Sequence, residues 1–420
     1  MPPFYDYFQS QPSWSASAGI YTPGKIIYLT GEYITSASKE TGLSRDCQFN
    51  LIEELNFFKP NSIWEQLFFH CHYRLCNENQ TLQADEFNLW PEVNFLENNA
   101  PLLFYVFIFL SALGKIKKFY TAHGIPHDVL THTLEDLQIW IDYSYQQTGK
   151  YCLLNIGRNW LFNHFTGLIF ALGRLQFNYS AYPYDYHVFR NTEGKYLVLS
   201  PDNALIRKDG QFDGVMGIYN PAFTAQYGEQ DDFYFGNPVT KDGIILSERV
   251  YLKKTKWVKI VQKGDTVLTF HIPASGPMDF AECGRSFARA CNFFSRYFPD
   301  KPFNTFSSES WLFDNQWQKL LPSASNISRL SRELYLTPLP NADDKQLRER
   351  VFGSRNAEIL TACSKSSLQK TIVSHVTQGG HFRSGGALYF KETFSWGNPP
   401  YCALPISVLS CVKREWRDSR

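Results

Sequence analysis

The chain has 420 residues, of which 44% are hydrophobic and 19% are charged, a balance that excludes a disordered protein. The length predicts two domains, because a single core rarely grows beyond ~250–300 residues. The net charge is +1, and no basic run is interleaved with aromatic residues, which argues against nucleic acid as the main partner.

The cysteines and the N-terminus predict the compartment. The chain has nine cysteines, none in a CxxC pair, and its N-terminus shows no basic leader followed by an apolar core. We therefore expect reduced thiols in a cytoplasmic protein. The longest apolar run, residues 101–113, is shorter than the ~20 residues that cross a bilayer, so we expect no membrane partner.

A helical region is predicted to follow a short arm. Residues 1–40 are rich in Ser, Pro, Gly and Tyr without a sustained period, which predicts a poorly ordered N-terminal arm. Apolar residues then recur at helical spacing, and long helices are predicted over residues 101–120 and 129–145. We assign residues 41–148 to a helical N-terminal domain.

The pattern changes near residue 149, where short strands and turn signals replace the helical period. A helix beginning at Trp160 is predicted to run into a strand over residues 172–177, and the aromatic segment 205–240 is predicted to be a lid or insertion. A further strand, helix and strand are predicted over residues 303–313, 366–375 and 386–390. The predicted fold class is α+β, with a mixed α/β domain over residues 149–420.

Residues 264–298 predict a buried strand, a tight turn and a long amphipathic helix. Pro273 ends the strand, and Asp279 is a predicted helix N-cap with Glu282 at capping-box spacing. Between them, Ala274-Ser275-Gly276 is small enough for an anion to approach the backbone amides. The sequence therefore predicts a unit that can hold a phosphate.

Polar residues near predicted strand ends are candidates for chemistry. His271 closes the strand before the turn, where a catalytic role and a core histidine bonded to backbone are equally favoured. Arg174 and Gln176 alternate with apolar residues, so both are predicted on one strand face, in an ion pair or in a substrate contact. Glu309 and Ser310 are suited to supply a general base and a hydroxyl donor, although exposed strand edges often carry such residues.

One helical segment carries residues of the types that bind metals. His72 and Cys76 fall on the same face at i,i+4 spacing, as a metal pair does. No second ligand pair stands at zinc-finger spacing, and the neighbouring Phe68 and Phe69 are typical of a core. A packed helix is the favoured interpretation, and no metal is predicted.

Several short motifs occur in the order seen in one protein family. They are Leu172-Gly173-Arg174-Leu175-Gln176-Phe177, His271-Ile272-Pro273, Ser275-Gly276-Pro277, Ser310-Trp311-Leu312, Ser325-Asn326-Ile327 and Ser366-Ser367-Leu368-Gln369-Lys370. Over residues 45–390 the chain resembles a family of bacterial two-domain acyltransferases, in which a helical N-acyltransferase N-terminal domain precedes a GNAT-like C-terminal domain. The resemblance implies acyl-CoA, such as acetyl-CoA, as co-substrate and a small amine or hydroxyl compound as acceptor, without a metal.

The resemblance also implies roles for individual residues. GNAT-like enzymes bind acyl-CoA at a splayed strand pair, here residues 265–272 and 303–313, with the pyrophosphate on the following turn. His271 or Glu309 would accept the acceptor's proton, and an amide near Ile272 would contact the oxyanion. The residues implied to bind the coenzyme are Ile272, Ala274, Ser275 and Gly276. The residues implied to line the acceptor side are Arg174, Gln176, Ser310 and Trp311.

The turn departs from the family pattern. The usual pyrophosphate signature is a Gln or Arg, a glycine three residues on and a Gly or Ala two after that, whereas this turn contains Pro273 and Pro277, which cannot donate hydrogen bonds. Fewer donors predict weaker phosphate binding, so a non-catalytic ligand-binding protein on a degenerate GNAT scaffold is the alternative. A hydrolase is a third interpretation, but no pair of carboxylates stands at a suitable spacing.

Overall fold

The computed structural model describes residues 3–77, 81–93, 100–391, 396–397 and 401. The chain forms two compact units, one comprising residues 1–177 and 272–276 and the other residues 178–271 and 277–420. A helical N-terminal region precedes a mixed region of strands and helices, which confirms the predicted fold class. Within the described ranges, no helix combines the length and hydropathy that a membrane span requires.

The first unit is built mainly from α-helices. Its helices are α1 (Pro3–Gln9), α2 (Trp14–Ala18), α3 (Gly31–Glu40), α4 (Arg45–Glu54), α5 (Ile63–Cys76), α6 (Ala84–Asn88), α7 (Phe104–Ser111), α8 (Leu113–Ala122), α9 (His127–Leu134), α10 (Asp136–Thr148) and α11 (Asn155–Phe165). Strand β1 (Ile169–Ala171) follows them, and β2 (Gln176–Ala181) begins in this unit and continues into the second. The boundary between the units thus falls inside β2, later in the chain than residue 149.

An aromatic core stabilises the first unit. Every residue of α7 is buried, and helices α1 and α2 pack against α5. Phe8 is fully buried beside Trp90, with ring centroids 5.3 Å apart, and the Ser17 hydroxyl lies 2.7 Å from Nδ1 of His70. Helices therefore form in the first forty residues, where the sequence has no sustained period, because side chains such as Phe4 and Phe8 are buried in the unit.

Each of two helices predicted as continuous is divided. The helix predicted over residues 101–120 is α7 and α8, which meet at Ala112. The helix predicted over residues 129–145 is α9 and α10, which meet at Glu135. The second break brings Asp136, the first residue of α10, into the interior, where it is 3% exposed. Such breaks are hidden in the sequence, because both halves keep the helical period.

The second unit is a mixed α/β structure. Its strands after β2 are β3 (His187–Asn191), β4 (Tyr196–Leu199), β5 (Leu205–Arg207), β6 (Pro221–Thr224), β7 (Tyr227–Glu229), β8 (Phe233–Gly236), β9 (Pro238–Val239), β10 (Val250–Lys253), β11 (Trp257–Val261), β12 (Thr266–His271), β13 (Thr305–Ser310), β14 (Tyr335–Thr337) and β15 (Gly385–Phe390). Its helices are α12 (Phe280–Tyr297), α13 (Trp317–Leu320), α14 (Asn326–Glu333), α15 (Lys345–Phe352) and α16 (Ser367–Thr377).

A six-stranded sheet with strand order β1-β2-β12-β13-β15-β14 carries the elements that matter for function. Smaller sheets have the orders β11-β3-β4-β9, β10-β8-β7 and β5-β6. The segment 205–240, predicted as a lid or insertion, supplies strands β5 to β9 of these smaller sheets.

The unit predicted over residues 264–298 is present as β12, a turn and α12. Helix α12 covers one face of the sheet, because Phe287 packs edge-on to Phe270 and Phe306 with centroid distances of 5.0 Å. Asp279 is the N-cap, and its carboxylate accepts the N–H of Glu282 at 2.8 Å. The Glu282 side chain pairs with Arg285, so only one of the two bonds of the expected capping box is present.

Candidate functional site

Strands β12 and β13 are parallel neighbours that separate toward their C-terminal ends. Their register pairs Leu268 with Phe306 and Thr269 with Ser307, and the ladder stops there along the described residues of both strands. Strand β13 stays paired with β15 as far as Ser310, so the gap opens on the β12 side. Where a ladder ends, an extended ligand can pair with the strand edge. The ladder thus ends between the two strands for which the family resemblance implied a splayed pair.

This end of the sheet has one polar and one apolar face. Side chains alternate along a strand, so Thr269 and His271 lie on the face opposite to Phe270, which packs under α12. Extending the β12–β13 register places Glu309 level with His271 on the polar face. By this extended register, both candidate catalytic residues fall on one face at the end of the ladder.

Strand β2 holds His271 in place. The Nε2 atom of His271 lies 2.7 Å from Oδ1 of Asn178, and the hydroxyls of Ser180 and Thr269 are 2.5 Å apart. These contacts join β2 to β12 in antiparallel orientation, since residue numbers rise along one strand as they fall along the other. His271 is half-buried, so its ring is positioned by the protein and is still reachable from solvent.

Glu309 is exposed at the end of β13. The hydroxyl of Tyr184 donates a hydrogen bond to its carboxylate. Burial, together with this bond to Glu309, raises the pKa of Tyr184 well above its usual value, so the phenol stays protonated and acts as a donor.

Ser310 and Trp311 are engaged in local packing. The Ser310 hydroxyl accepts the N–H of Leu312 at 3.2 Å, which closes the turn after β13. The Trp311 backbone N–H donates to Oε1 of Gln346 at 2.9 Å, and its ring lies edge-on to Trp317 with centroids 5.8 Å apart. Both residues follow Glu309 directly in sequence, but their polar groups hold the turn after β13 in place.

In the first unit, Arg174 holds the turn that follows β12. Arg174 lies in the turn between β1 and β2 rather than in a strand, and the φ angle of 91° at Gly173 makes this turn possible. The guanidinium donates to the carbonyl oxygens of Pro273 at 2.9 Å and Gly276 at 3.0 Å. The prediction that Arg174 and Gln176 share a strand face is therefore wrong.

The turn after β12 exposes three backbone amides. Ala274, Ser275 and Gly276 are exposed, and no hydrogen bond in the described chain uses their N–H groups. The C=O and N–H of a trans peptide unit point in opposite directions, so a Pro273 carbonyl directed at Arg174 turns the Ala274 amide away from it. Ile272, which precedes these residues, is half-buried. Three exposed donors near a guanidinium can bind an anion.

Gln176 belongs to a buried network. It is 3% exposed, and its side chain hydrogen-bonds Asp136. Asp136 also accepts the indole N–H groups of Trp140 at 3.0 Å and Trp160 at 2.9 Å, and Nε2 of His164 lies 3.2 Å from its carboxylate. Burial pushes the pKa of Asp136 up, but His164 and the hydrogen bonds push it further down, so its pKa lies below the usual value. This network anchors the first residue of β2.

His72 and Cys76, the pair at metal-ligand spacing, take part in helix packing. Nδ1 of His72 lies 2.8 Å from the Ser111 hydroxyl and 3.6 Å from Sγ of Cys76. Burial lowers the pKa of His72 to about 4 and raises that of Cys76 to about 11, so both groups are neutral at pH 7. In the part of the chain that the structure describes, no three His, Cys, Asp or Glu side chains are grouped as a metal site.

Sequence reasoning did not single out Asn178, Tyr184 or Asp136. The available signal was the alternation of polar and aromatic residues, which continues past residue 177 with polar side chains at positions 176, 178 and 180. That alternation would have extended the strand to include Asn178. It would not have identified His271 as the partner, because strand pairing is set by the tertiary fold.

Comparisons with known proteins agree with this architecture. The chain matches the family described as N-acyltransferase N-terminal domain over residues 41–167 and the family described as GNAT-like C-terminal domain over residues 169–389. No curated protein matches the sequence.

Three crystal structures of acyltransferases share the fold, and each match covers 92% of this chain and 99% of the other. One is in complex with decanoyl-CoA and teicoplanin, at 18% identity and a TM-score of 0.59. A mutant in complex with octanoyl-CoA is 18% identical with a TM-score of 0.58. A complex with CoA and 10C-teicoplanin is 17% identical with a TM-score of 0.59.

The family resemblance of the sequence motifs is thereby confirmed. The GNAT-like match alone spans more than half of the chain, and the other match accounts for most of the residues before it. The protein belongs to the two-domain acyltransferase family in which an N-acyltransferase N-terminal domain precedes a GNAT-like C-terminal domain.

Proposed function

We propose that the protein transfers an acyl group from acyl-CoA to an amine or hydroxyl group of a small-molecule acceptor. The observation that carries this proposal is the separation of β12 and β13, which leaves His271 and Glu309 at an open end of the sheet. Backbone groups of the separated strands would bind the pantetheine amides, as strand edges bind extended chains.

The turn at residues 273–276 supports binding of the coenzyme pyrophosphate. The amides of Ala274, Ser275 and Gly276 would donate to phosphate oxygens, and the Arg174 guanidinium would keep the turn in place through the carbonyl oxygens of Pro273 and Gly276.

The chemistry would be direct attack on the thioester. The acceptor nitrogen or oxygen forms a bond to the acyl carbon, the C–S bond breaks, and CoA leaves as a thiolate that takes up a proton. An imidazole nitrogen of His271 accepts the proton that the acceptor loses. His271 is the preferred base over Glu309, because the Glu309 carboxylate already accepts the Tyr184 hydroxyl.

The test combines binding with turnover by the full-length protein. Calorimetry with CoA, acetyl-CoA, octanoyl-CoA and decanoyl-CoA is expected to give a Kd below about 1 mM, which corresponds to about −4 kcal/mol. The longer chains are included because the acyltransferases of the same fold were crystallised with octanoyl- and decanoyl-CoA. Mass spectrometry would then detect acylation across a panel of primary amines and alcohols, to which teicoplanin is added because it is bound in an acyltransferase of the same fold.

A catalytic variant separates binding from chemistry. His271→Ala is expected to bind acyl-CoA normally and to lower kcat about 10²- to 10⁴-fold, the usual contribution of a general base. Glu309→Gln serves as the matched control and is expected to change kcat less. Folded protein that binds none of the four coenzyme forms would count decisively against the proposal.

A ligand-binding protein without turnover is the second candidate, and one observation favours it. The Asp279 carboxylate caps α12 by accepting the Glu282 N–H at 2.8 Å, which places a negative charge where helices often bind anions. This candidate predicts that none of the four coenzyme forms binds and that no acylated product forms with any compound in the panel.

A further inference from the structure

In the hydrogen bond between Asn178 and His271, the imidazole is the donor and the amide oxygen the acceptor. Nδ2 of Asn178 donates to the carbonyl oxygen of Tyr179 at 3.1 Å, which leaves Oδ1 facing the imidazole. Because Oδ1 can only accept, the Nε2 atom of His271 at 2.7 Å must carry the proton. In the neutral ring, the lone pair that can accept a proton therefore lies on Nδ1.

Asn178 is itself held by its neighbours. The hydroxyl of Tyr179 donates to the carbonyl oxygen of Lys301 at 2.7 Å. On the other side, the hydroxyl of Ser180 is hydrogen-bonded to β12 at 2.5 Å. A side chain flanked by anchored groups presents its amide oxygen at a fixed position, which favours one ring orientation for His271.

We propose that Asn178 is a positioning residue for acyl transfer, which keeps His271 as the Nε2-protonated tautomer so that Nδ1 takes the acceptor's proton. This inference rests on the proposed function, in which His271 is the base. As the bond from the acceptor to the acyl carbon forms and the C–S bond breaks, the acceptor's proton moves to Nδ1. The Nε2–H keeps its bond to Oδ1 of Asn178, which stabilises the resulting imidazolium.

The test measures the tautomer and the kinetics separately. In protein labelled with ¹⁵N in the histidine rings, the His271 signals are assigned by their loss in His271→Ala. At a pH where the ring is neutral, we expect a pyrrole-type Nε2 and a pyridine-type Nδ1. Asn178→Ala is expected to lower kcat about 10- to 100-fold, as loss of such a supporting partner does, with the KM for acyl-CoA unchanged. Asn178→Asp, which keeps an acceptor oxygen, is expected to retain the tautomer and recover most of kcat.

A matched control separates positioning from strand pairing. Ser180→Ala removes the neighbouring link between β2 and β12 and leaves the imidazole contact intact, so kcat is expected to fall less than in Asn178→Ala. Equal losses in Ser180→Ala and Asn178→Ala, or a proton on Nδ1 in the wild type, would overturn the proposal. Full activity in His271→Ala overturns both the base assignment and this proposal. If His271→Ala lowers kcat while Asn178→Ala leaves it unchanged, this proposal alone is overturned.

Discussion

Replacing Arg174 with alanine tests whether the turn at residues 273–276 binds the coenzyme. The substitution removes two hydrogen bonds, to the carbonyl oxygens of Pro273 at 2.9 Å and Gly276 at 3.0 Å. At a net value of about 1 kcal/mol for each bond, the substitution destabilises the ordered turn by about 2 kcal/mol. Since 1.4 kcal/mol is tenfold in affinity, we expect the Kd for CoA to rise about 10- to 30-fold.

The assay is calorimetry with CoA on the wild type and three variants. Arg174→Lys keeps the positive charge but loses the planar fork that reaches two carbonyls, so it is expected to resemble Arg174→Ala. Arg45→Ala removes the same charge from an exposed position in α4 and is expected to leave the Kd unchanged.

Two outcomes would refute this reasoning. The first is that Arg174→Ala binds CoA within about twofold of the wild type, a difference in binding free energy below about 0.5 kcal/mol. The turn would then not need the carbonyl contacts of Arg174 to bind CoA. If Arg174→Lys matched the wild type at low salt and weakened steeply at high salt, the charge of Arg174 would matter and its turn geometry would not.

Three further perturbations have defined outcomes. Asp136→Ala leaves two indole N–H groups and a histidine without their carboxylate, so urea unfolding is expected to show a loss of about 3–5 kcal/mol. Burial raises the pKa of Glu54 from 4.5 to about 8, so the folded state binds this proton more tightly than the unfolded chain. The free energy of unfolding should therefore fall as the pH rises from about 4.5 to about 8, and Glu54→Gln should remove that slope in urea titrations across the range. Tyr184→Phe removes the hydrogen bond to Glu309, and because the Tyr184 hydroxyl stays protonated, any change in kcat/KM should be independent of pH from 6 to 10.

The sequence predicted the elements whose signals are local. The order of β12, turn and α12 follows from a β-branched and aromatic run, two prolines and an N-cap, all within residues 264–298. Each of these signals acts within a few residues, so no knowledge of the rest of the chain is needed. The N-cap role of Asp279 is confirmed for the same reason.

Parts of the site that depend on distant residues were not predictable. The alternation of Arg174 with apolar neighbours predicts a strand position, but Gly173 bends the chain and Arg174 reaches carbonyls about one hundred residues away in sequence. Gln176 shows the same alternation and is instead held by Asp136, which a helix break at Glu135 brings into the core. Pattern reasoning gives the face of a residue but not its partner.

The two prolines of the turn have opposing effects on phosphate binding. In sequence, Pro273 and Pro277 only subtract hydrogen-bond donors from a phosphate site. In the structure, the carbonyl of Pro273 accepts a hydrogen bond from Arg174, and the ring of Pro273 fixes its own φ angle, so the turn loses freedom before any ligand binds. Three amides held in advance lose less entropy on binding than a larger number in a flexible loop. The prolines therefore reduce the number of donors and at the same time order the donors that are left. Because these two effects oppose each other, the measured affinity for CoA, and not the count of amides, decides between a transferase and a binding protein that has lost its coenzyme.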